Sequence, residues 1–258
     1  MIQLGWCGKV EEAGELKRMG FDYIECPLAS MSLENESEFK ENLKRFQQSS
    51  LAVRAFNIFC PPGMKVVGPE ADPSRIRAYI LKAADVMNAL GAEKVVFGSG
   101  HARTVPDGWE HKRAEEQFLN LLTWIGDAFA GTRLTLVIEP LNRKESNFIN
   151  NLTEAVSYAK QIQHPNIKVL ADFYHMEEEQ EPLQALIDYK EWIAHIHVAD
   201  TFRLSPGTGQ YPYAEFMGNL KAAGYTGMIS AECSVSDYSI DLPASLTFLR
   251  SWNEEVVT

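Results

Sequence analysis

The 258-residue sequence predicts an α/β chain closed as a (β/α)8 TIM barrel, a single domain over residues 1–258. Three observations carry that prediction. Eight short apolar, β-branched stretches are spread along the whole length, and segments with helical spacing lie between them. No linker, low-complexity tract or composition shift divides the chain. Strands alternating with helices imply parallel pairing through right-handed crossovers, and eight such units are the number that closes a barrel.

The elements follow in order. Residues 2–7 (IQLGWC) read as the first strand, with a helix over 9–19; 21–26 (FDYIEC) is the second, with a helix over 35–49. The third strand is 52–58, and its helix is the clearest in the chain: Asp72 is placed to cap it, Pro73 suits the first helical position and Gly91 closes it. Strand 94–98 precedes a helix over 109–130, and strand 134–139 precedes one over 151–163. Strands 167–172, 193–198 and 227–232 are followed by helices over 181–191, 213–223 and 242–254. An open doubly wound sheet is the alternative, but the G-x-G-x-x-G fingerprint of dinucleotide binding is absent after the first strand, where GWCGKVEEAG has the wrong spacing.

Composition narrows the function. Hydrophobic residues make up 45% and charged residues 23%, as in ordinary globular domains. A net charge of −11 opposes contact with a phosphate backbone or an anionic membrane, so no nucleic-acid or membrane partner is expected. No apolar run is long enough to cross a bilayer and MIQLGWCG lacks signal-peptide character, which sets a cytoplasmic expectation. Cys7, Cys26, Cys60 and Cys233 are scattered without a C-x-x-C pair and are read as reduced thiols.

Catalytic groups of such barrels gather at the C-terminal strand ends, and four consecutive predicted strands end in ionisable residues. The fifth ends at Glu139, the sixth at Asp172, the seventh contains His195 and His197, and the eighth ends at Glu232. Side-chain alternation puts Glu139 on the face of Val137 and Thr135, Glu232 on that of Ser230 and Met228, and His197 nearer the mouth than His195. Taken singly, each is an ordinary solvated turn residue or helix cap. Together they would place like charges within a few ångströms, which repulsion and desolvation disfavour unless a cation intervenes. Three carboxylates and an imidazole form a hard, oxygen-rich set suited to Mn²⁺, Mg²⁺ or Co²⁺. Two open octahedral positions would chelate a carbonyl and a neighbouring hydroxyl, as on a keto-sugar.

The segments IEPLNRKE, ADFYHM, HIHVADTFR-SPGTGQ-PY and AEC resemble the motifs of the xylose isomerase-like TIM-barrel sugar isomerases and epimerases, with the D-tagatose and D-psicose 3-epimerases nearest. The specific motifs lie within 137–233, and the first half matches in rhythm alone. The resemblance implies one divalent ion, usually Mn²⁺, on Glu139, Asp172, His197 and Glu232, with Glu145, His175 and Arg203 contacting a sugar. It further implies that Glu139 and Glu232 act as the acid/base pair on opposite faces of the carbon beside a ketose carbonyl, through an enediolate, with a metal-bound water or His175 as the alternative base because a cation-bound carboxylate loses basicity.

Trp6, Cys7, Glu25, Phe59 and Cys60 fall where the first strands should open toward the pocket, with packing as their expected role. His101 and Arg103 lie in the loop GSGHARTVPDGW, read as a solvated border of the site. A keto-sugar or keto-inositol lyase or dehydratase starts from the same proton abstraction and is the nearest alternative; a non-catalytic sugar binder is another. An abasic-site endonuclease would need further His and Asp zinc ligands, which HVADTFR and NIFCPP do not supply. A homo-oligomer, dimer or tetramer, is compatible with this reading.

Overall fold

A computed structural model describes residues 2–254. Eight parallel strands, β1 (Gln3–Cys7), β2 (Tyr23–Pro27), β3 (Val53–Asn57), β4 (Lys94–Phe97), β5 (Thr135–Ile138), β6 (Ile167–Asp172), β7 (Ile193–Val198) and β8 (Met228–Ala231), pair in sequence order, and β8 returns to β1 to close the barrel. Closure leaves no strand edge exposed.

Two apolar regions hold this shell. The larger packs the outward faces of the strands against the surrounding helices, with Phe118, Phe129, Phe173 and Phe216 among its buried aromatics. Inside the barrel are two small clusters, Val96, Val137 and Leu170 in one and Tyr23, Ala55 and Met228 in the other. Val137 and Met228 lie on the strand faces that carry Glu139 and Glu232, so the predicted inward orientation of both carboxylates is the one observed.

The helix Pro73–Ala89 forms as its sequence predicts: the Asp72 side chain accepts from the backbone N–H of Ser74 and Arg75, and Gly91 takes a left-handed φ of 76° just beyond it. The helix expected over 181–191 is a single turn, Ala185–Asp188. The N–H groups of Ala185, Leu186 and Ile187 bond three residues back, to Pro182, Leu183 and Gln184, so the segment opens in tight turns, and the Glu181 carboxylate accepts from the N–H of Leu152, the first residue of the helix Leu152–Ile162. A helix not anticipated, Phe173–Glu178, starts directly at the end of β6, because the Asp172 side chain caps it by accepting from the His175 N–H at 3.1 Å. The last helix begins earlier than expected and runs Tyr238–Glu254. Among the described residues, no helix is long and apolar enough to cross a membrane.

Candidate active site

Strand ends bring the four predicted ligands together. One ligand atom each of Glu139, Asp172, His197 and Glu232 lies within 4.8 Å of every other, in a buried cluster at the C-terminal mouth. The register explains it: Asp172 sits beside His197 across β6 and β7, while the Glu139 N–H donates to the Phe97 carbonyl and the Glu232 N–H to the Val198 carbonyl, continuing the ladder one residue beyond β5 and β8.

The cluster is under-compensated. His197 Nδ1 faces Glu139 Oε1 at 3.4 Å, Glu232 Oε2 at 3.7 Å and Asp172 Oδ2 at 3.8 Å. Neither this nitrogen nor Glu139 Oε1 has a hydrogen-bond partner among the described residues, although both are buried. Burial, then the charges of Glu232 and Asp172, push the Glu139 carboxyl above its usual range, against the pull of His197. Burial would lower the His197 imidazole, but Glu25 and the neighbouring Cys7 and Glu139 outweigh it and hold it well above its usual value. Three carboxylate oxygens and an imidazole nitrogen aimed at one point, two of them unpartnered, fit a divalent cation with hard-ligand preference.

Around the cluster stand the three residues expected to contact substrate. Arg203 donates from one guanidinium nitrogen to Glu232 Oε2 at 2.6 Å and from another to Glu145 Oε1 at 3.1 Å, and its guanidinium lies over the Tyr174 ring. Burial opposes its charge, but Glu232, Asp172 and Glu145 raise it further than burial lowers it. His175 Nδ1 accepts from the Asn142 backbone N–H, with the Asn142 side-chain amide 2.9 Å away. The proton therefore sits on Nε2, which is buried and has no partner among the described residues. It is a donor waiting for an acceptor.

The loop carrying Arg203 is shaped by a buried carboxylate. Asp200 Oδ1 accepts from the Thr201 and Tyr211 N–H groups and Oδ2 from that of Gly207. Phe202 and Arg203 both adopt left-handed backbone, with φ of 62° and 59°, and Phe202 is 84% exposed. Non-glycine residues rarely hold that conformation unless the surroundings enforce it.

Several functional positions differ from expectation or were missed. Arg103 is fully buried rather than solvated: it donates to the carbonyls of Glu139 at 2.7 Å and Phe97 at 3.2 Å, tying the ends of β5 and β4. His101 is exposed beside the Pro61 carbonyl. Trp6, Phe59 and Cys60 are buried in the outer core, which agrees with packing. Glu25 does not merely pack, because it bridges His195 and His197 at 2.8 and 2.9 Å. Asn57 at the end of β3 was not anticipated; its amide donates to Glu232 Oε1 at 2.8 Å, leaving Oδ1 buried and unpartnered among the described residues. Only its place at a strand end would have pointed to it.

Comparison with known proteins identifies the family. The family profile described as Xylose isomerase-like TIM barrel matches residues 13–252. A ketose 3-epimerase of Arthrobacter globiformis is 29% identical over 275 residues, covering 98% of this chain and 90% of its own. A 3-dehydro-D-guloside 4-epimerase of Escherichia coli K12 is 35% identical over 104 residues, a match that spans 40% of each chain. Among solved structures, a 3-keto-D-glucoside 4-epimerase from E. coli has a TM-score of 0.81 at 23% identity, over 97% of this chain and all of that one, a likeness of fold.

Proposed function

Because the chain belongs to the xylose isomerase-like TIM-barrel family, we propose that it is a divalent-metal-dependent sugar epimerase or isomerase, moving a proton beside the carbonyl of a keto-sugar. The observation that carries this reading is the buried, unpartnered pair His197 Nδ1 and Glu139 Oε1, set among two further carboxylates and beside a free His175 donor.

Glu139, Asp172, His197 and Glu232 would hold the ion, with Mn²⁺ the best match and Mg²⁺ or Co²⁺ also suited to the donor set. Bound there, it supplies Lewis-acid polarisation of the substrate carbonyl. Glu139 and Glu232 rise from the ends of β5 and β8, with two strands between them around the barrel, and so approach the reacting carbon from different sides. One removes the proton and the other returns it. Glu232 is restrained by Arg203 and Asn57, which donate to its two oxygens, whereas Glu139 Oε1 has no hydrogen-bond partner among the described residues. Arg203 thereby orients Glu232 and places positive charge beside the enediolate oxygens, while His175 Nε2–H hydrogen-bonds a substrate oxygen and Glu145 steadies Arg203 from the other side.

On this reading the protein acts as a single-domain enzyme on a small sugar or sugar derivative, in the cytoplasm. Incubation in deuterated water with Mn²⁺ and either free ketohexoses or 3-keto-glycosides tests the reading. Deuterium at the carbon beside the carbonyl together with an epimer is the expected result. Release of water or an aglycone reassigns the site to elimination, and absence of exchange into every sugar of both classes overturns it.

A further inference from the structure

One layer below the cluster, four polar side chains fill the dry interior of the barrel. Glu25 is fully buried, and its two oxygens are divided: Oε1 meets His197 Nε2 at 2.9 Å, and Oε2 meets His195 Nε2 at 2.8 Å and the Ser230 hydroxyl at 2.6 Å. The Tyr23 hydroxyl backs Ser230 at 2.7 Å, and His195 Nδ1 lies 3.1 Å from the Met228 carbonyl. The backbone is adapted to this contact. Register shifts interrupt the β2–β3 ladder between Ile24 and Glu25 and the β6–β7 ladder between Val169 and Leu170, beside the strands that carry the three residues.

We propose that Glu25 is a positioning residue that keeps the His197 proton on Nε2 and so presents the Nδ1 lone pair to the metal site above, an inference that rests on the metal-dependent reading of that site. The argument is one of competition. As a metal ligand the imidazole is neutral and keeps one N–H, and His197 has acceptors on both sides: Glu25 at 2.9 Å from Nε2, and three carboxylates at 3.4 to 3.8 Å from Nδ1. Without Glu25 the three upper carboxylates would draw the proton to Nδ1, where it would stand in the place of the cation. Glu25 is the nearer acceptor and holds the ring by a charge-assisted hydrogen bond in a fully buried setting. Its second oxygen accepts from the Ser230 hydroxyl at 2.6 Å, which the Tyr23 hydroxyl backs, so the carboxylate cannot swing away. A carboxylate behind a ligating imidazole fixes both ring orientation and tautomer, and loss of such a partner typically weakens metal affinity by about 10–100-fold.

The test is Glu25→Gln, which keeps the shape but replaces the carboxylate with a neutral amide and so removes the charge-assisted bond that holds the His197 Nε2 proton. Mn²⁺ titration, followed by the paramagnetic resonance of free ion, is expected to show a dissociation constant raised about 10–100-fold, while Tyr23→Phe, one contact further out, stays within about twofold. Proton–nitrogen spectra of histidine-labelled wild type, metal-free and loaded with diamagnetic Mg²⁺, are expected to show a slowly exchanging, downfield His197 Nε2–H that is lost or shifted in Glu25→Gln. Unchanged Mn²⁺ affinity in the variant, or a Mg²⁺-loaded wild type with its His197 proton on Nδ1, overturns the proposal. Should the variant fail to fold, the wild-type spectra decide alone. A wild type that binds no ion but still shows the Glu25-held Nε2–H sinks the metal-dependent reading and leaves the positioning contact standing.

Discussion

Replacing Glu139 by Gln should make the metal-free protein more stable and the metal-loaded protein less so. The magnitude follows from the geometry. Ligand oxygens of Asp172 and Glu232 lie within 4.8 Å of that of Glu139. At an effective dielectric constant near 20, each such pair of like charges repels by roughly 3 kcal/mol. His197 and Arg203 return part of this, and Glu139 Oε1 has no hydrogen bond to lose among the described residues. An amide of the same shape removes the repulsion and adds an N–H₂ that either neighbouring carboxylate can accept. A net gain of about 1–3 kcal/mol is expected without metal, equal to several degrees in melting temperature at this chain length. With Mn²⁺ present the order should reverse, because ligand binding stabilises the native state in proportion to RT ln(1 + [L]/Kd) and the variant has lost a charged ligand. Urea denaturation followed by tryptophan fluorescence, on chelator-treated and Mn²⁺-saturated samples, measures both limbs. A Glu139→Gln protein less stable than wild type after chelation would refute the claim that this cluster is strained by uncompensated charge.

Other outcomes follow from neighbouring contacts. Gly98→Ala would set a methyl group against the Glu139 carboxylate, the far end of a flexible side chain; folding stability should change by under about 1 kcal/mol while Mn²⁺ affinity falls at least about tenfold, as titration of the purified variant would show. Arg103→Met strips the Glu139 carbonyl of its 2.7 Å donor and should cost about 1–3 kcal/mol in urea unfolding; no loss would mean that the buried guanidinium does not tie β4 to β5. The Glu181 carboxyl is pushed up to about 7 by burial, against the Leu152 N–H, with Glu154 and Glu179 adding to the rise. A carboxyl raised on folding retains a proton that the unfolded chain releases, so stability falls as pH climbs from about 4.5 through 7. Glu181→Gln, which keeps the acceptor for Leu152, should therefore gain at most about 3 kcal/mol at pH 8 and nothing near pH 4.5, and equal gains at both would refute the assignment.

Architecture was legible because strand and helix periods are written in local apolar spacing, and because the alternation of side chains carries Glu139, His197 and Glu232 to one interior. The positions that escaped depend on distance in the chain. Glu25 reaches His195 and His197 across about 170 residues of sequence, as the separations of 170 and 172 show, and nothing local to FDYIEC marks that partnership. Arg103 was misjudged because glycine and polar neighbours suggested a solvated loop, whereas the carbonyls it satisfies belong to strand ends that only the closed barrel brings to it. The helix over 181–191 shortened because its first N–H groups bond three residues back rather than four, a tightening that the apolar spacing does not reveal.

The segment after β7 illustrates what one inward-turned carboxylate permits. Since Asp200 alone gathers the amides of Thr201, Gly207 and Tyr211, the arch keeps its form without asking anything of the side chain at 202, which projects into solvent. Phe202 is thus an exchangeable tile on the rim for residues that tolerate its left-handed backbone, next door to the arginine that holds Glu232 and Glu145. Diversifying that one codon offers a route to altered substrate preference that leaves the scaffold beneath untouched.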